Sequence, residues 1–324
     1  MPTAGGLLAR LGGLIRPAPV DPALDAAVDH AIERVEPRLR LFSGYPARYR
    51  KAVARGLEYA RELAGCIPGP VELNPETFNR DPRIHAMFVS LQEVMSGMCV
   101  SQEIRDYRRA HPLPGEVYAL LGTRRWEKNV LGMEVDGDIL RRDVPQVVVY
   151  FNDHTLASPA PSEAEAREAM AWSFFDGLLK HVRRRIDARL VDKVELDKAR
   201  DELLARLRSR PPGQRAALQA EYDALLARQR GLGRQLDMST WAEDFDAILL
   251  EPEQHLYLTE VAMRLDGMGV LRQPEDPVQS TPMTFADLVG FDRRRWTVNL
   301  VHCVDLGQDS ISDRLESACR ILSL

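Results

Sequence analysis

Residues 162–236 read SEAEAREAMAWSFFDGLLKHVRRRIDARLVDKVELDKARDELLARLRSRPPGQRAALQAEYDALLARQRGLGRQL. Ser162-x-x-Glu165 is a capping box, in which two side chains satisfy orphan backbone donors at a helix start. No proline follows until Pro211, so nothing in the covalent chain interrupts a helix over that length. Leu179, Val182, Ile186, Leu190, Val194, Leu203 and Leu207 supply its apolar side. After Ser209-Arg210-Pro211-Pro212-Gly213, a second helix carries Leu218, Tyr222, Leu225, Gln229, Leu232 and Leu236 in alternating steps of four and three, the coiled-coil spacing. Two such rods joined by a short proline–glycine turn fold back as an antiparallel hairpin. An arm of ~30 residues reaches ~45 Å at ~1.5 Å per residue.

This stretch also differs in charge from the rest. Leu178–Arg234 holds fifteen Lys/Arg against eight Asp/Glu, or +7, whereas the whole chain carries 43 bases and 48 acids, or −5; the remainder is therefore −12. Lys180, Arg183, Arg184, Arg185 and Arg189 form a basic knot within three helical turns. It is the expected partner-binding surface, able to make charge-assisted contacts with carboxylates or phosphates. Reversing Arg183 and Arg184 is then expected to abolish association without lowering the melting temperature.

Working toward the N-terminus, residues 113–160 read as a β-hairpin and strand of a small sheet. Lys128 to Val135 and Asp138 to Val144 flank Asp136-Gly137, whose positive φ angles suit a type I′ turn. Pro145 then punctuates, and Gln146 to Phe151 reads as a strand covered on both faces. Residues 21–112 read as helical. Asp21-Pro22 offers a cap and a first-turn proline, followed by the stripe Leu24, Ala27, Val28, Ile32. A second helix is expected from Pro46 or Ala47 to Ala64. A third is expected from about Pro82 to Ala110, with Ile84, Phe88, Leu91, Val94, Met95 and Met98 inward. Residues 1–20 form a separate amphipathic tail, with Leu7, Leu8, Leu11, Leu14 and Ile15 on one face as an anchor for a membrane surface or a partner groove. Arg10 interrupts the apolar run, so the tail does not read as a secretory signal.

On the other side of the hairpin, residues 238–324 read as helices plus a final sheet strand. A helix is expected from about Glu253 to Leu265, and a short one from Thr284 through Leu288. Trp296 to Val304 alternates as a strand, and Ser310-x-x-Asp313 opens a last helix. The fold class expected from all this is α+β, mainly helical: a helical body, a sheet of four strands or fewer, and an inserted antiparallel helical hairpin.

Motifs that carry common chemistries are absent. There is no GxxxxGK[ST] and no GxGxxG after a strand; HExxH, GxSxG and HxE…PCxxC are missing as well. Catalytic residues stay unknown. The candidates are Asp153 and His154, on a polar loop expected after the apolar strand, with His302 on another strand to complete a pair. Glu134, Asp136 and Asp138 alternate across the hairpin turn and offer oxygens to a hard cation, although a hairpin tip wants Asp-Gly in any case. Four separated cysteines, with no CxxC, argue against a disulfide framework or zinc site and for a cytoplasmic protein. No run reaches the ~18 apolar residues of a membrane span. The expected function is a non-catalytic interaction, scaffold or regulatory protein without a cofactor, presenting its basic hairpin to an acidic protein partner. The alternatives are nucleic-acid binding through the hairpin, and a metal-assisted hydrolase or transferase at Asp153/His154. Sustained heptads also suit a homodimer.

Overall fold

A computed structural model describes residues 21–88, 102–111, 116–136, 139–276 and 278–304. They form a mixed α+β protein. The helices are α1 (Pro22–Val35), α2 (Arg50–Gly65), α3 (Pro75–Arg80), α4 (Pro82–Met87), α5 (Gln102–Ala110), α6 (Glu163–Ser209), α7 (Ala216–Gln235) and α8 (Met238–Leu250). The strands are β1 (Val71–Glu72), β2 (Glu116–Asp136), β3 (Ile139–Ala160), β4 (Tyr257–Leu265), β5 (Thr281–Val289) and β6 (Arg295–Val304). No helix among the described residues is long and apolar enough to cross a membrane. The chain divides into two compact units. One joins the described part of Met1–Arg55 to Val182–Ala247; the other joins the described parts of Gly56–His181 and Ile248–Leu324.

The first unit is helical. Asp21 caps α1, its carboxylate accepting from the Ala23 and Leu24 amides, and Ala27, Val28, Ala31, Ile32 and Val35 make the fully buried stripe. Tyr49 is buried edge-on against Phe245, with ring centres 5.2 Å apart, and its hydroxyl donates to the Leu39 carbonyl at 3.2 Å. α6 opens in the second unit at Ser162, whose hydroxyl accepts from the Glu165 amide at 3.3 Å and donates to the Glu165 carboxylate at 2.9 Å. On α7 the residues shielded from solvent include Leu218, Tyr222, Leu225, Gln229 and Leu232, with Leu236 just past its end, while most of the others are exposed. On α6, Val182, Ile186, Leu196, Leu203 and Leu207 are buried, but Val194 is 52% exposed and Val191 55%. The packed stripe of α6 therefore runs through Leu196 and leaves Val194 outside.

The second unit carries a sheet of six strands, ordered β3-β2-β6-β5-β4 with β1 added parallel to β6; all other pairs are antiparallel. Four strands or fewer were expected. The two additional long ones are β4 and β5, which the sequence presents as helices. In β4, Leu258, Val261 and Leu265 fit an i, i+3, i+7 stripe and Glu260, Ala262, Met263 and Arg264 are helix formers; pairing residue for residue with β5 overrides that preference. In β5, Thr284 and Asp287 imitate a helix start, but Met283, Phe285, Asp287 and Val289 are buried at alternate positions, a strand period.

The hairpin also departs from expectation. β2 and β3 pair from Tyr118↔Ala160 to Asp136↔Ile139, so Asp136 is itself a paired strand residue, the turn comes one residue later than Asp136-Gly137 would place it, and Pro145 does not end the strand. What β3 has instead is three bulges. The register slips between Gly132 and Met133, between Gly122 and Arg124, and between Tyr118 and Leu120, and opposite these slips Asp143, Asp153 and Ser158 have φ of 59°, 53° and 54°. Each bulge puts one residue in the left-handed region, where aspartate is among the better-tolerated side chains. The two edges of the sheet are then joined. Val149 N–H donates to the Gly269 carbonyl and Leu271 N–H to that of Val147, both at 2.8 Å, while Arg272 N–H donates to the Arg264 carbonyl of β4 at 2.9 Å. Val270 and Leu271 thus bridge β3 to β4 and close the sheet on itself, which removes part of both exposed edges.

The inner face carries Val117, Ala119, Leu121, Val149, Phe151, Leu156, Met283, Phe285, Val301 and Cys303, joined by Ile84, Met87, Phe88 and Ile104 from the α4 and α5 regions. The expected third helix is interrupted there. α4 ends at Met87, and Phe88 is extended, with φ −127° and ψ 134°, because its buried ring is drawn into this cluster. Leu91, Val94, Met95 and Met98 lie outside the described residues, as do the N-terminal anchor (Leu7, Leu8, Leu11, Leu14, Ile15), Asp138 and the expected last helix.

Candidate functional site

The basic knot lies on the part of α6 in the first unit, apart from Lys180, which stands exposed two residues before it. Arg183 donates to the Val35 carbonyl at 2.9 Å and pairs with Asp187 at 2.9 Å. The Val35 carbonyl belongs to the last turn of α1 and has no partner within that helix, so Arg183 works as a cationic C-cap. Beside it, the Glu36 carboxyl is held below its ordinary value, chiefly by hydrogen bonds from Arg38 against the opposing effect of burial, with the Arg183 charge adding. Arg185 reaches Asp244 at 3.2 Å and Arg189 bonds the same carboxylate, which is buried at 6% exposure. Arg183, Arg185 and Arg189 are thereby matched within the chain, and the Arg184 and Lys180 side chains are exposed. The expected outcome of reversing Arg183 changes accordingly: the substitution uncaps α1 and lowers stability by itself.

The cations toward the α6–α7 turn are arranged differently. Between Leu203 and Ala220 the chain has Arg206, Arg208, Arg210 and Arg215 and no acidic residue. Arg206, Arg208 and Arg210 are exposed. Arg210 contacts Gln214 at 3.5 Å, and Arg215 donates to the Arg210 carbonyl at 2.6 Å. None of the four has an acidic partner among the described residues. Residue counting alone did not separate this cluster from the knot; the signal that could have done so was the eighteen-residue gap in acids.

The candidates for chemistry do not converge. Asn152, Asp153 and His154 lie within β3 rather than on a loop after it, because the strand continues through its bulges to Ala160. Asp153 is the left-handed residue of one bulge. His154 Nε2 lies 2.7 Å from the Met87 carbonyl oxygen and its ring stacks on Phe88 at 4.6 Å, so it pins the end of α4. His302 stacks on Tyr118 at 4.4 Å between Glu72 and Glu116, at 3.9 and 3.3 Å. It is opposite Tyr118 on β2, whereas the His154 bulge faces Thr123. Five residues of strand, ~17 Å, separate the two histidines. The side chains of Glu134 and Asp136 lie outside the described residues along with Asp138, and among the described residues no group of three His, Cys, Asp or Glu is placed to hold a metal ion.

A cavity of about 600 Å³ opens between the α3–α4 segment and the sheet, lined by His85, Met87, Phe88, Val149, Phe151 and Met283 among others, and by none of the three chemistry candidates. Deeper in the inner face runs a polar row that the sequence did not suggest. Thr259, Asp287, Thr297 and Thr123 are direct neighbours on four successive strands. The Thr297 hydroxyl donates to Asp287 at 2.8 Å and Arg125 pairs with the same carboxylate at 3.0 Å. Cys303, also on this face, is 1% exposed, and burial pushes its thiol up to about 12. A thiol of that kind is inert at neutral pH, whereas Cys66 is exposed. In a chain carrying Cys99→Ser and Cys319→Ser, a thiol reagent is expected to titrate Cys66 at once and Cys303 only after denaturant is added. Two fast thiols in the native protein would contradict that placement.

Among the described residues the candidates for chemistry lie apart, and exposed cations without an acidic partner gather around the α6–α7 turn. Comparison with protein-family models, curated protein sequences and solved structures gives no match for this chain.

Proposed function

We propose that the chain is a non-catalytic interaction protein that presents the α6–α7 helical hairpin to an acidic partner. The observation that carries this is the distribution of charge along the hairpin. Arg183, Arg185 and Arg189, nearer α1 and α8, are matched by Asp187 and Asp244, and those around the turn have no acidic partner among the described residues. Unmatched guanidinium groups on a rigid element are suited to carboxylates, with which they make bidentate charge-assisted bonds. A coiled-coil-like pairing would supply the rigidity. It is supported by the shielding of the heptad residues on α7 and by the bond from Gln229 to Asp197 at 2.8 Å, which joins positions at nearly equal distances from the turn.

The test is the triple substitution Arg206→Glu, Arg208→Glu, Arg210→Glu. Purification from native extracts at low salt should recover an acidic protein with the wild-type chain, and the triple variant should lose it by tenfold or more. The melting temperature should hardly move, since exposed positions are worth about ±0.5 kcal/mol each. Equal recovery by the variant would refute the reading. Raising the salt should weaken recovery as well, because exposed ion pairs are screened.

A further inference from the structure

The outer face of β2 and β3 holds a second arrangement that the hairpin reading does not use. Outward positions on β2 alternate as Arg124, Trp126 and Lys128, spaced ~6.6 Å apart. The register sets Arg124 opposite Asn152 and Trp126 opposite Tyr150 on β3. On the other side, Thr123 pairs with Thr297, which brings Arg124 next to Trp296. Its guanidinium lies 5.1 Å from the Trp126 ring centre and 6.0 Å from that of Trp296. The indole N–H of Trp126 donates to Asn152 Oδ1 at 2.7 Å. Trp126 is nevertheless 41% exposed and Tyr150 42%. Trp126 is therefore pinned at its edge and has Arg124 over its ring, yet it and the adjacent Tyr150 both keep exposed ring surface, which differs from a single stray apolar residue on a surface.

The surrounding charge says what kind of ligand fits. Neither Arg124 nor Lys128 has an acidic partner among the described residues. The turn entering β6 adds exposed Arg293, Arg294 and Arg295, of which Arg294 pairs with Asp292 at 3.4 Å. Aromatic faces interleaved with unmatched cations are complementary to a chain of flat bases linked by phosphates. We propose that this face, centred on Arg124, Trp126 and Tyr150, binds single-stranded nucleic acid. Bases stack on Trp126 and Tyr150, and Arg124 and Lys128 take the phosphates. Sequence preference is weak, because stacking accepts every base and the Asn152 oxygen is already engaged by the indole.

The experiment measures binding of a fluorescent oligothymidylate of about 16 nucleotides to the full chain at ~50 and ~200 mM salt. Binding is expected at the lower salt and a steep loss at the higher. Trp126→Ala and Tyr150→Ala should each weaken it by about tenfold or more, whereas Trp126→Phe, which keeps a stacking face, should retain most of it. Near-ultraviolet circular dichroism would verify that the variants stay folded. The triple substitution around the hairpin turn should leave oligothymidylate affinity unchanged. The proposal falls if no binding occurs at the lower salt, if the Trp126→Ala, Tyr150→Ala double variant binds as wild type does, or if duplex is preferred. It also falls if only the hairpin variant loses binding, which would assign the polyanion to the arginines of the turn.

Discussion

Asp287→Ala is expected to lower the unfolding free energy by about 3–5 kcal/mol, among the larger costs a single side chain can carry. Asp287 is 2% exposed. It accepts from Arg125 at 3.0 Å and from Thr297 at 2.8 Å. Removing it leaves a guanidinium whose side chain is 11% exposed, whose Nη1 is buried without a hydrogen-bond partner and whose other acidic neighbour, Glu127, is exposed and 4.0 Å away. An uncompensated buried cation costs far more than the pair contributes. The remedy is therefore to remove both charges. Arg125→Leu together with Asp287→Leu should recover most of the loss, since Phe151 and Phe285, with ring centres 5.1 Å apart, already make this region apolar. Urea unfolding of the three proteins would decide it. A single variant costing under ~1 kcal/mol, or a double variant no better than the single, would overturn the account.

Gly69→Ala is expected to cost about 3 kcal/mol or more, for a reason of backbone geometry. Gly69 has φ +121°, and a Cβ there would stand 2.2 Å from the Leu300 carbonyl oxygen. That oxygen has little freedom to retreat. Leu300 N–H donates to the Pro68 carbonyl at 2.7 Å, and Leu300 pairs with Leu120 in the middle of the sheet. Both the left-handed backbone and the close approach thus require glycine. Gly65 is the matched control. It ends α2, and a Cβ there meets nothing within 4 Å, so Gly65→Ala should be neutral or stabilising by up to ~1 kcal/mol. Thermal unfolding of the pair separates the two cases; equal midpoints would contradict the close approach.

The amount of structure legible in the chain followed the range of the interactions involved. Asp21-Pro22, Ser162-x-x-Glu165 and the Asp136-Gly137 signal are stated by neighbours within a few residues; α1 and α6 begin where the first two place them, and the β2–β3 hairpin turns within one residue of the third. β5 was hidden because an aspartate occupies an inward position, and what makes that position tolerable is Arg125, far upstream. β4 was hidden for a related reason: its composition favours helix, and only its pairing with β5 makes it a strand. The aromatic face was unreadable because Trp126, Tyr150 and Trp296 come from three strands whose register no local pattern contains.

Charge shows the same division. The sequence by itself determined that residues 163–235 are two helices about a proline–glycine turn and that this stretch is rich in arginine, because periodicity, caps and composition are local properties. Which arginines remain available was decided only in three dimensions. Asp244 comes back on α8 to meet Arg185 and Arg189, and the end of α1 takes Arg183. A cation's availability depends on where the nearest carboxylate or unpaired carbonyl stands in space, and distance along the chain does not fix that.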